Sequence, residues 1–311
     1  MPITISNWGH CGFASTRIST VDSRVAAVSP ICVPRRSPFF NPPFPQQMFW
    51  QPRSPMLHSV VRTRILGVIP ARFASTRFPG KALALVAGKP MLQHVWERAK
   101  QSRYLDGLVV ATDDDRIAAA VRKFDGRVRM TSSQHPSGTD RLAEVASAEE
   151  AAFYVNIQGD EPLIDPEAID AAILSVQGDE AVAMGTLKRP IIDPAEITNP
   201  NVVKVVTNLL GDAIYFSRCP IPYERDGRSE TQLYFKHIGL YVYRREFLLS
   251  YPDLNIGPLE KAECLEQLRA MENGYRIRVV KTEYESLGVD TPEDLERVNK
   301  LFAASDALRS G

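Results

Sequence analysis

The sequence predicts an α/β fold built on a mostly parallel sheet, because short apolar runs alternate along the chain with segments of helical periodicity. The first run, Ile65 to Ile69, is continuously apolar and rich in β-branched residues, as in a strand buried on both faces. Polar residues follow this run and later ones directly. Repeated crossovers favour parallel pairing, and open parallel sheets bind ligands at the carboxyl ends of their strands.

The elements follow in a regular order from that first strand. A polar loop, Ala71 to Lys81, comes next, and apolar residues then recur at helical spacing from Met91 to Ala99. The remaining predicted elements are a strand at 108–111, a helix around 117–124, a short strand at 128–130, a helix near 142–148 and a strand at 153–157. Each later strand is thus separated from the one before it by a helical crossover.

Composition and charge exclude several classes of function. The 311 residues are 44% hydrophobic and 24% charged, enough for a sizeable core. With 37 basic and 37 acidic residues, no general attraction to nucleic acid or an anionic membrane is expected. No apolar run approaches the ~20 residues of a membrane-spanning helix. The four cysteines lack CxxC spacing, which argues against a disulfide framework or a zinc site and favours a cytoplasmic enzyme.

The N-terminal segment, residues 1–62, differs from the rest of the chain. It contains nine prolines, six arginines, no lysine and a single acid, Asp22, without helical or alternating periodicity. It is interpreted as a transit peptide or as a mis-assigned start with the true start at Met56, and the second interpretation is favoured. The predicted organisation is therefore a disordered extension (1–62), a catalytic domain (63–301) and a C-terminal tail (302–311).

The loop after the first strand is a candidate phosphate-binding loop. Between Arg72 and Lys81 it carries three cations, the hydroxyls of Ser75 and its neighbour, and Gly80, where the backbone can approach a ligand closely. Arginine donates in a planar fork to phosphate oxygens, and lysine supplies a compact charge. No Walker A motif is present, and an exposed basic turn is the alternative interpretation.

Two isolated aspartates are candidate metal ligands. Asp160 directly follows a predicted strand, and Asp290 lies in the segment GVDTP. Magnesium commonly takes one or two protein carboxylates and completes its shell with phosphate oxygens and water. Asp290 fits the start of a helix equally well, because Pro292 would occupy its first turn. The run Asp113 to Asp115 is interpreted as a helix N-terminus rather than as the metal motif of a glycosyltransferase.

A series of specific blocks occurs in order between Ile65 and Leu301. They are IPAR (69–72) with PGK (79–81), HPSGTDR (135–141), NIQGDEP (156–162), NPNVVKVV (199–206), YFSR (215–218), KHIGLY (236–241), LEQLR (265–269) and GVDTPEDL (288–295). Together they closely resemble the 3-deoxy-manno-octulosonate (Kdo) cytidylyltransferases, or CMP-Kdo synthetases. The resemblance implies a Rossmann-like nucleotidyltransferase fold with a smaller mixed lobe for sugar binding and homodimerisation. It also implies transfer of CMP from CTP to Kdo, releasing pyrophosphate, for lipopolysaccharide synthesis.

The same resemblance assigns roles to individual residues. CTP would contact Arg72, Ser75, Arg77, Lys81, Arg141 and Asp160, of which Arg72, Arg77, Lys81 and Asp160 would be catalytic. Mg²⁺ would be held by Asp160 and Asp290. The sugar would be bound by Gln158, Arg218, Arg225, His237, Tyr241, Glu266 and Gln267.

Some of these sugar-site assignments have a competing interpretation. An arginine fork suits the Kdo carboxylate, but Arg225 lies in a segment, 219–232, that varies in the family. His237 on an apolar strand would otherwise be a core histidine. Glu266 and Gln267 are expected on a helix whose buried face is formed by Leu259, Ala262, Leu265, Leu268 and Met271.

Three rival functions remain open. An enzyme of the same fold could act on sialic acid or on an amino analogue of Kdo. A CTP-binding regulator without activity would not need Lys81, Asp160 and Asp290 together. A glycosyltransferase would need its metal site in Asp113 to Asp115 and would release no pyrophosphate.

Overall fold

A computed structural model describes residues 63–74, 78–226 and 233–310, with side chains up to 304. In this part of the chain nine strands form one sheet. Seven of them form its main path, namely β1 (Ile65–Ala71), β4 (Gly107–Thr112), β5 (Val128–Met130), β6 (Phe153–Asn156), β7 (Val182–Pro190), β10 (Phe235–Arg244) and β11 (Arg276–Lys281). Their order across the sheet is β11-β7-β10-β6-β1-β4-β5. A hairpin of β2 (Leu85–Val86) and β3 (Lys89–Pro90) stands apart from it.

Strand β1 lies at the centre and is buried on both faces, as its apolar run predicts. It pairs in parallel with β4 on one side and β6 on the other. Ile65 and Ile69 pack into the core on one face of the sheet, whereas Leu66 and Val68 pack into the core on the other. Strand β10 runs antiparallel between β6 and β7, so the sheet is mostly but not wholly parallel. The predicted fold class is confirmed.

Helices cover both faces of the sheet. The first face packs against α1 (Met91–Ala99), α2 (Asp115–Lys123) and α4 (Pro166–Gln177), and the second against α3 (Gly138–Ala148), α6 (Arg245–Ser250) and α8 (Gln267–Glu272). The short helices α5 (Ala195–Thr198) and α7 (Pro258–Glu263) and the terminal α9 (Pro292–Ser310) complete the order. No helix in the described ranges is long and apolar enough to cross a membrane.

A hairpin extends the sheet beside β10. It consists of β8 (Lys204–Thr207) and β9 (Ala213–Ser217), and β8 pairs with β10. The turn of this hairpin is attached to β11, because Asp212 accepts hydrogen bonds from Arg276 and Arg278, at 2.6 and 2.7 Å. These contacts join the hairpin to the far edge of the main sheet.

The predicted single helix through Glu266 and Gln267 is wrong. Two short helices, α7 and α8, are separated at Cys264, which has left-handed φ and ψ of 51°. The predicted buried face is therefore not continuous, because Leu259 is 42% exposed whereas Leu265 and Leu268 are buried. A left-handed residue cannot continue an α-helix, and the apolar spacing alone does not reveal it.

The predicted domain limits remain a prediction. Residues 1–62 lie outside the described part of the chain. At the other end, α9 continues from Pro292 to Ser310 through the predicted boundary at residue 301.

Candidate active site

A cavity of about 290 Å³ lies over the carboxyl ends of the central strands. Four of the residues predicted for the sugar site line it, namely Gln158, Tyr241, Glu266 and Gln267. Its other walls are Gly138, Thr139, Asn156, Met184, Gly239, Tyr243, Tyr251, Cys264 and Leu265. Most of these residues come from β6, β10, α3 and the α7–α8 junction, so distant parts of the sequence meet there. We call this space the large cavity.

Local irregularities aim these side chains at the large cavity. The register of β10 against β7 shifts between Ile238 and Val242, which is a β-bulge at the stretch containing Gly239 and Tyr241. The break at Cys264 likewise turns the chain so that the next residues reach the same space. Both features place polar groups where a regular element would not.

Hydrogen bonds hold the polar groups of the large cavity in place. Tyr241 Oη donates to Gln267 Oε1 at 3.3 Å, and Thr139 Oγ1 donates to Glu266 Oε2 at 3.1 Å. Gln158 Nε2 donates to the carbonyl of Gly239 at 2.9 Å. Burial raises the pKa of Tyr241 well above its usual value, so this phenol is a neutral hydrogen-bond donor at physiological pH. Desolvation also raises the pKa of Glu266, although much of this residue's surface is open to solvent.

His237 lies behind this wall rather than in it. Its ring packs between Phe216 and Tyr241, at centroid distances of 5.0 and 5.4 Å. Its Nε2 lies 3.0 Å from Thr186 Oγ1, whose proton is directed at backbone carbonyls, so the imidazole is assigned as the donor. Burial lowers the pKa of His237 to about 3, and the ring is neutral at physiological pH. It therefore supports Tyr241 from behind.

The two predicted arginines do not line the large cavity. The Arg218 guanidinium donates to the carbonyls of Glu263, Pro200 and Cys264, at 2.7, 2.9 and 3.4 Å. It thereby supports the chain at Cys264, which does line the cavity. The Arg225 side chain is 90% exposed and lies 3.9 Å from Asp226. A direct contact of either arginine with a sugar stays a prediction.

A second, smaller cavity adjoins the first. It has a volume of about 80 Å³ and is lined by Pro70, Ala71, Arg72, Lys81, Ala82, Gln158, Gly159 and Asp160. Gln158 belongs to both cavities. We call this space the small cavity, and it contains three of the four predicted catalytic residues.

Glycines allow the backbone segments around the small cavity to approach closely. A Cβ on Gly159 would lie 2.9 Å from the carbonyl oxygen of Pro70, which is closer than real contacts allow. Gly80 has a φ of 72°, and its N–H donates to the carbonyl of Phe73 at 2.8 Å, closing the base of the predicted phosphate loop. Ser75 and Arg77 of this loop lie outside the described residues.

Lys81 joins the two predicted metal ligands. Its Nζ lies 2.6 Å from Asp160 Oδ2 and 2.9 Å from Asp290 Oδ1. Burial alone would lower the pKa of this ammonium, but the two carboxylates outweigh burial and raise it. Both aspartates therefore converge on the position of a single cation.

The donors at this point fit a magnesium ion. Two carboxylates are within the usual protein share of a Mg²⁺ shell, which phosphate oxygens and water complete. No group of three or more His, Cys, Asp or Glu suited to a metal occurs in the described ranges. Water, or the phosphate oxygens of a substrate, would complete the shell of such a site.

Arg72 and Arg141 lie near the same edge of the sheet, on the side of β4 and β5. Arg72 Nη2 donates to the carbonyl of His135 at 2.8 Å. Arg141 is fully buried; its Nη1 donates to Thr131 Oγ1 at 2.5 Å, whereas Nη2 approaches Asp113 only to 3.4 Å. Its Nε has no hydrogen-bond partner within the described chain. Desolvation lowers the pKa of Arg141, and unused buried donors of this kind favour a ligand acceptor there.

The acidic run after β4 begins a helix, as predicted. Asp114 is the N-cap of α2 and accepts a hydrogen bond from the Arg116 backbone N–H at 2.9 Å. Asp115 is in the first turn of that helix, and Asp113 faces Arg141. Asp113 and Asp114 therefore have charged partners other than a metal, and Asp115 belongs to the helix itself.

Four polar residues of the large cavity were not assigned from the sequence: Thr139, Asn156, Tyr243 and Tyr251. Asn156 is buried, and its Oδ1 has no hydrogen-bond partner within the described chain. It stands at the end of β6, two residues before Gln158, inside a block already noted for its resemblance. The tyrosines had no local signal, because only the pairing of β10 with β6 and the packing of α6 bring them there.

Comparisons with known proteins identify the family of the chain. The cytidylyltransferase family model matches residues 66–278. The 3-deoxy-manno-octulosonate cytidylyltransferase of Solibacter usitatus is 68% identical over 242 residues, which cover 78% of this chain and 96% of that protein. The enzyme of the same name from Geobacter sulfurreducens is 59% identical over 243 residues, covering 75% and 97%.

A solved structure extends the agreement to three dimensions. It is that of a CMP:2-keto-3-deoxy-manno-octonic acid synthetase complexed with CTP, with a TM-score of 0.75 and 46% identity, covering 78% of this chain and all of the other. The family model spans more than half of the chain, and the alignments span nearly the whole of the relatives. The chain therefore belongs to the cytidylyltransferase family, among the 3-deoxy-manno-octulosonate cytidylyltransferases.

Proposed function

We propose that this chain transfers CMP from CTP to Kdo, producing CMP-Kdo and pyrophosphate and activating Kdo for lipopolysaccharide synthesis. The observation that carries the proposal is the pair of adjoining cavities that share Gln158. The small cavity is bordered by two cations and Asp160, as a triphosphate requires, and the large cavity by hydroxyls, amides and a carboxyl group, as a polyhydroxylated sugar requires. The names of the relatives specify the two substrates.

In the proposed reaction, the anomeric hydroxyl of Kdo attacks the α-phosphorus of CTP in line with the leaving pyrophosphate. Because Gln158 borders both cavities, a sugar in one and a phosphate in the other are held side by side, and this positioning supplies much of the rate. Arg72, Arg77 and Lys81 neutralise the negative charge that develops on the pyrophosphate. No general base is assigned for the hydroxyl proton.

The proposal places Mg²⁺ at Asp160 and Asp290. When bound, the ion would polarise the phosphate oxygens and screen their charge. Lys81, which pairs with both carboxylates, also lines the small cavity and would donate to phosphate oxygens there. The same ammonium would thus serve both the aspartates and the nucleotide.

Neutral donors of the large cavity would bind the sugar hydroxyls. Tyr241, Gln158 and Gln267 present a phenol and two amides to the cavity, and the Glu266 carboxyl accepts. His237 and Arg218 would act from behind the wall, and Arg225 would reach the sugar carboxylate only if its segment moved inwards. Arg141, with its unused donor, would face the nucleotide.

The assembly and location are proposed on the same basis. We expect a homodimer in the cytoplasm, where CTP is available, with no nucleic-acid or membrane partner. The balanced charge of the chain supports the last two expectations.

Pyrophosphate release from the full chain tests the proposed function. The assay would offer CTP, ATP, UTP or GTP with Mg²⁺, each with Kdo, its amino analogue or sialic acid. Release that requires both CTP and Kdo is expected. Release with another acid sugar would reassign the substrate within the same fold, and no release with any pair would contradict the transferase assignment.

A further inference from the structure

We propose that Glu161 is a positioning residue that fixes the separation of the Asp160 and Asp290 carboxylates and thereby sets the divalent-cation affinity of the site. The inference rests on the proposed function, because it assumes that these two aspartates hold the cation. It concerns a side chain that lies beside the proposed ligands and contacts neither substrate in the mechanism above.

The two aspartates come from different parts of the chain. Asp160 follows β6, whereas Asp290 precedes α9 and ends a segment without regular secondary structure, residues 282–290. A backbone hydrogen bond joins the two, from the Val289 N–H to the Asp160 carbonyl at 2.9 Å, and Lys81 Nζ links the two carboxylates. These contacts hold Val289 and Asp290, whereas the part of the 282–290 segment before Val289 needs a second connection.

Glu161 supplies that second connection. It is buried, 6% exposed, and both of its carboxyl oxygens are used by the 282–290 segment. Tyr284 Oη donates to Oε2 at 2.8 Å, and Ser286 Oγ donates to Oε1 at 2.6 Å. Three residues separate Ser286 from Asp290, so a displacement at Glu161 is transmitted over a short length of chain.

The opposite side of the segment is held more weakly. Glu285 lies 2.9 Å from Arg189 and 3.8 Å from Lys236. Its side chain is 53% exposed, and exposed ion pairs contribute little to position because water and salt screen them. The buried contacts at Tyr284 and Ser286 therefore provide the stronger constraint.

The chemistry of Glu161 also favours a positioning role over a stabilising one. Both of its hydrogen-bond donors are neutral hydroxyls, so neither supplies a positive charge to balance the carboxylate, and the neighbouring Asp160 is also an acid. A buried polar group that is fully hydrogen-bonded specifies one geometry even where an apolar group would stabilise the fold equally well.

The test measures cation binding by the full chain without either substrate. Binding of Mn²⁺, followed by electron paramagnetic resonance, would be compared among the parent, Glu161→Gln, Tyr284→Phe and Ser286→Ala, with Glu285→Gln as the matched control on the other side of the segment. Loss of one hydrogen bond is expected to weaken binding about 2- to 10-fold. The Mg²⁺ concentration for half-maximal pyrophosphate release should rise by the same factor, with kcat at saturating Mg²⁺ within about twofold of the parent.

The outcomes separate the proposal from a purely structural role. Lower cation affinity in the three variants, with the control unchanged and the thermal unfolding of Ser286→Ala near that of the parent, supports the proposal. Unchanged Mn²⁺ affinity in folded variants, or an equal loss in the control, overturns it, as does a parent that binds no Mn²⁺. The parent could also bind Mn²⁺ but release no pyrophosphate. In that case, lower Mn²⁺ affinity in the three variants would support the positioning role, and the missing release would contradict the proposed reaction.

Discussion

Lys81 shows how one residue can balance two like charges. Its ammonium lies within 3 Å of both Asp160 and Asp290, so the two negative charges are compensated in this structure. Without the ammonium, the two carboxylates would repel each other. The lysine therefore holds the two acids together at the point where the proposed cation would bind.

The role of Asp160 is tested by a substitution that keeps its shape. Asp160→Asn should lower kcat about a hundredfold or more, because the charge that holds the cation is lost, while the fold stays intact. Steady-state pyrophosphate release and circular dichroism would measure the two effects. The matched control is Asp115→Asn, at an exposed position in the first turn of α2.

This pair of variants also separates two rival functions. Near-normal turnover of Asp160→Asn would count against the metal assignment. Loss of activity in Asp115→Asn alone would instead favour a metal site in the acidic run, as a glycosyltransferase would need.

At the scale of elements, the approach of β1 to the chain after β6 determines where the chemistry can occur. Gly159 lies against the carbonyl of Pro70, with Gln158 and Asp160 on either side. The absence of a side chain at this point lets both cavities form next to each other at the ends of two parallel strands.

Gly159→Ala tests this close approach. The added Cβ would force the segments apart, so the free energy of unfolding should fall by about 1–3 kcal/mol. Turnover should fall about tenfold or more, because the neighbouring Gln158 and Asp160 are displaced. Urea unfolding and pyrophosphate release would measure these effects.

Gly178→Ala is the control for this variant. No atom lies within 4 Å of its added Cβ, and its φ is −89°. A fall in stability there as large as at Gly159 would refute the steric explanation.

Elements whose signals are local could be predicted from the sequence. Apolar periodicity located β1, α1 and β4, and the acids before Ile117 indicated the start of α2. The break at Cys264 could not be predicted, because the left-handed residue is not a glycine and the apolar spacing continues across it. The hydrogen bonds of Arg218 to backbone carbonyls could not be predicted either, because they depend on the fold of a distant segment.

At the scale of the whole molecule, His237 should contribute to acid sensitivity. Burial lowers its pKa from 6.5 to about 3 in the folded state, so between these values the unfolded chain binds a proton that the folded chain does not. The contribution of His237 to stability is therefore fully present above pH 6.5 and is lost as the pH falls towards 3. The loss between pH 6.5 and 4.5 should be at most about 2 kcal/mol, because part of the residue remains open to solvent.

His237→Gln should remove this part of the pH dependence. Urea unfolding of parent and variant would be compared across the same pH range, where all other titrating groups contribute equally to both. As the pH falls, the free energy of unfolding of the parent should decrease relative to that of the variant. Parallel curves would show that His237 is protonated as easily in the folded chain as in the unfolded one.

The overall architecture was more predictable than the lining of the site. Strand-end residues such as Asp160 lie where an open parallel sheet binds its ligands, and this rule needs only local sequence. Tyr243 and Tyr251 reach the large cavity through the antiparallel insertion of β10 and the packing after α6, which are long-range events. Pairing between distant segments leaves no periodic pattern in the chain.

Gln158 borders both cavities, and its amide donates a hydrogen bond to the Gly239 carbonyl on β10. A shared residue of this kind is a point at which ligands in the two cavities can be coupled. If a nucleotide in one cavity shifts this amide, the affinity of the other cavity for its sugar changes by some factor. The sugar must then change the nucleotide's affinity by that same factor, since the free energy of the doubly occupied state does not depend on the order of binding.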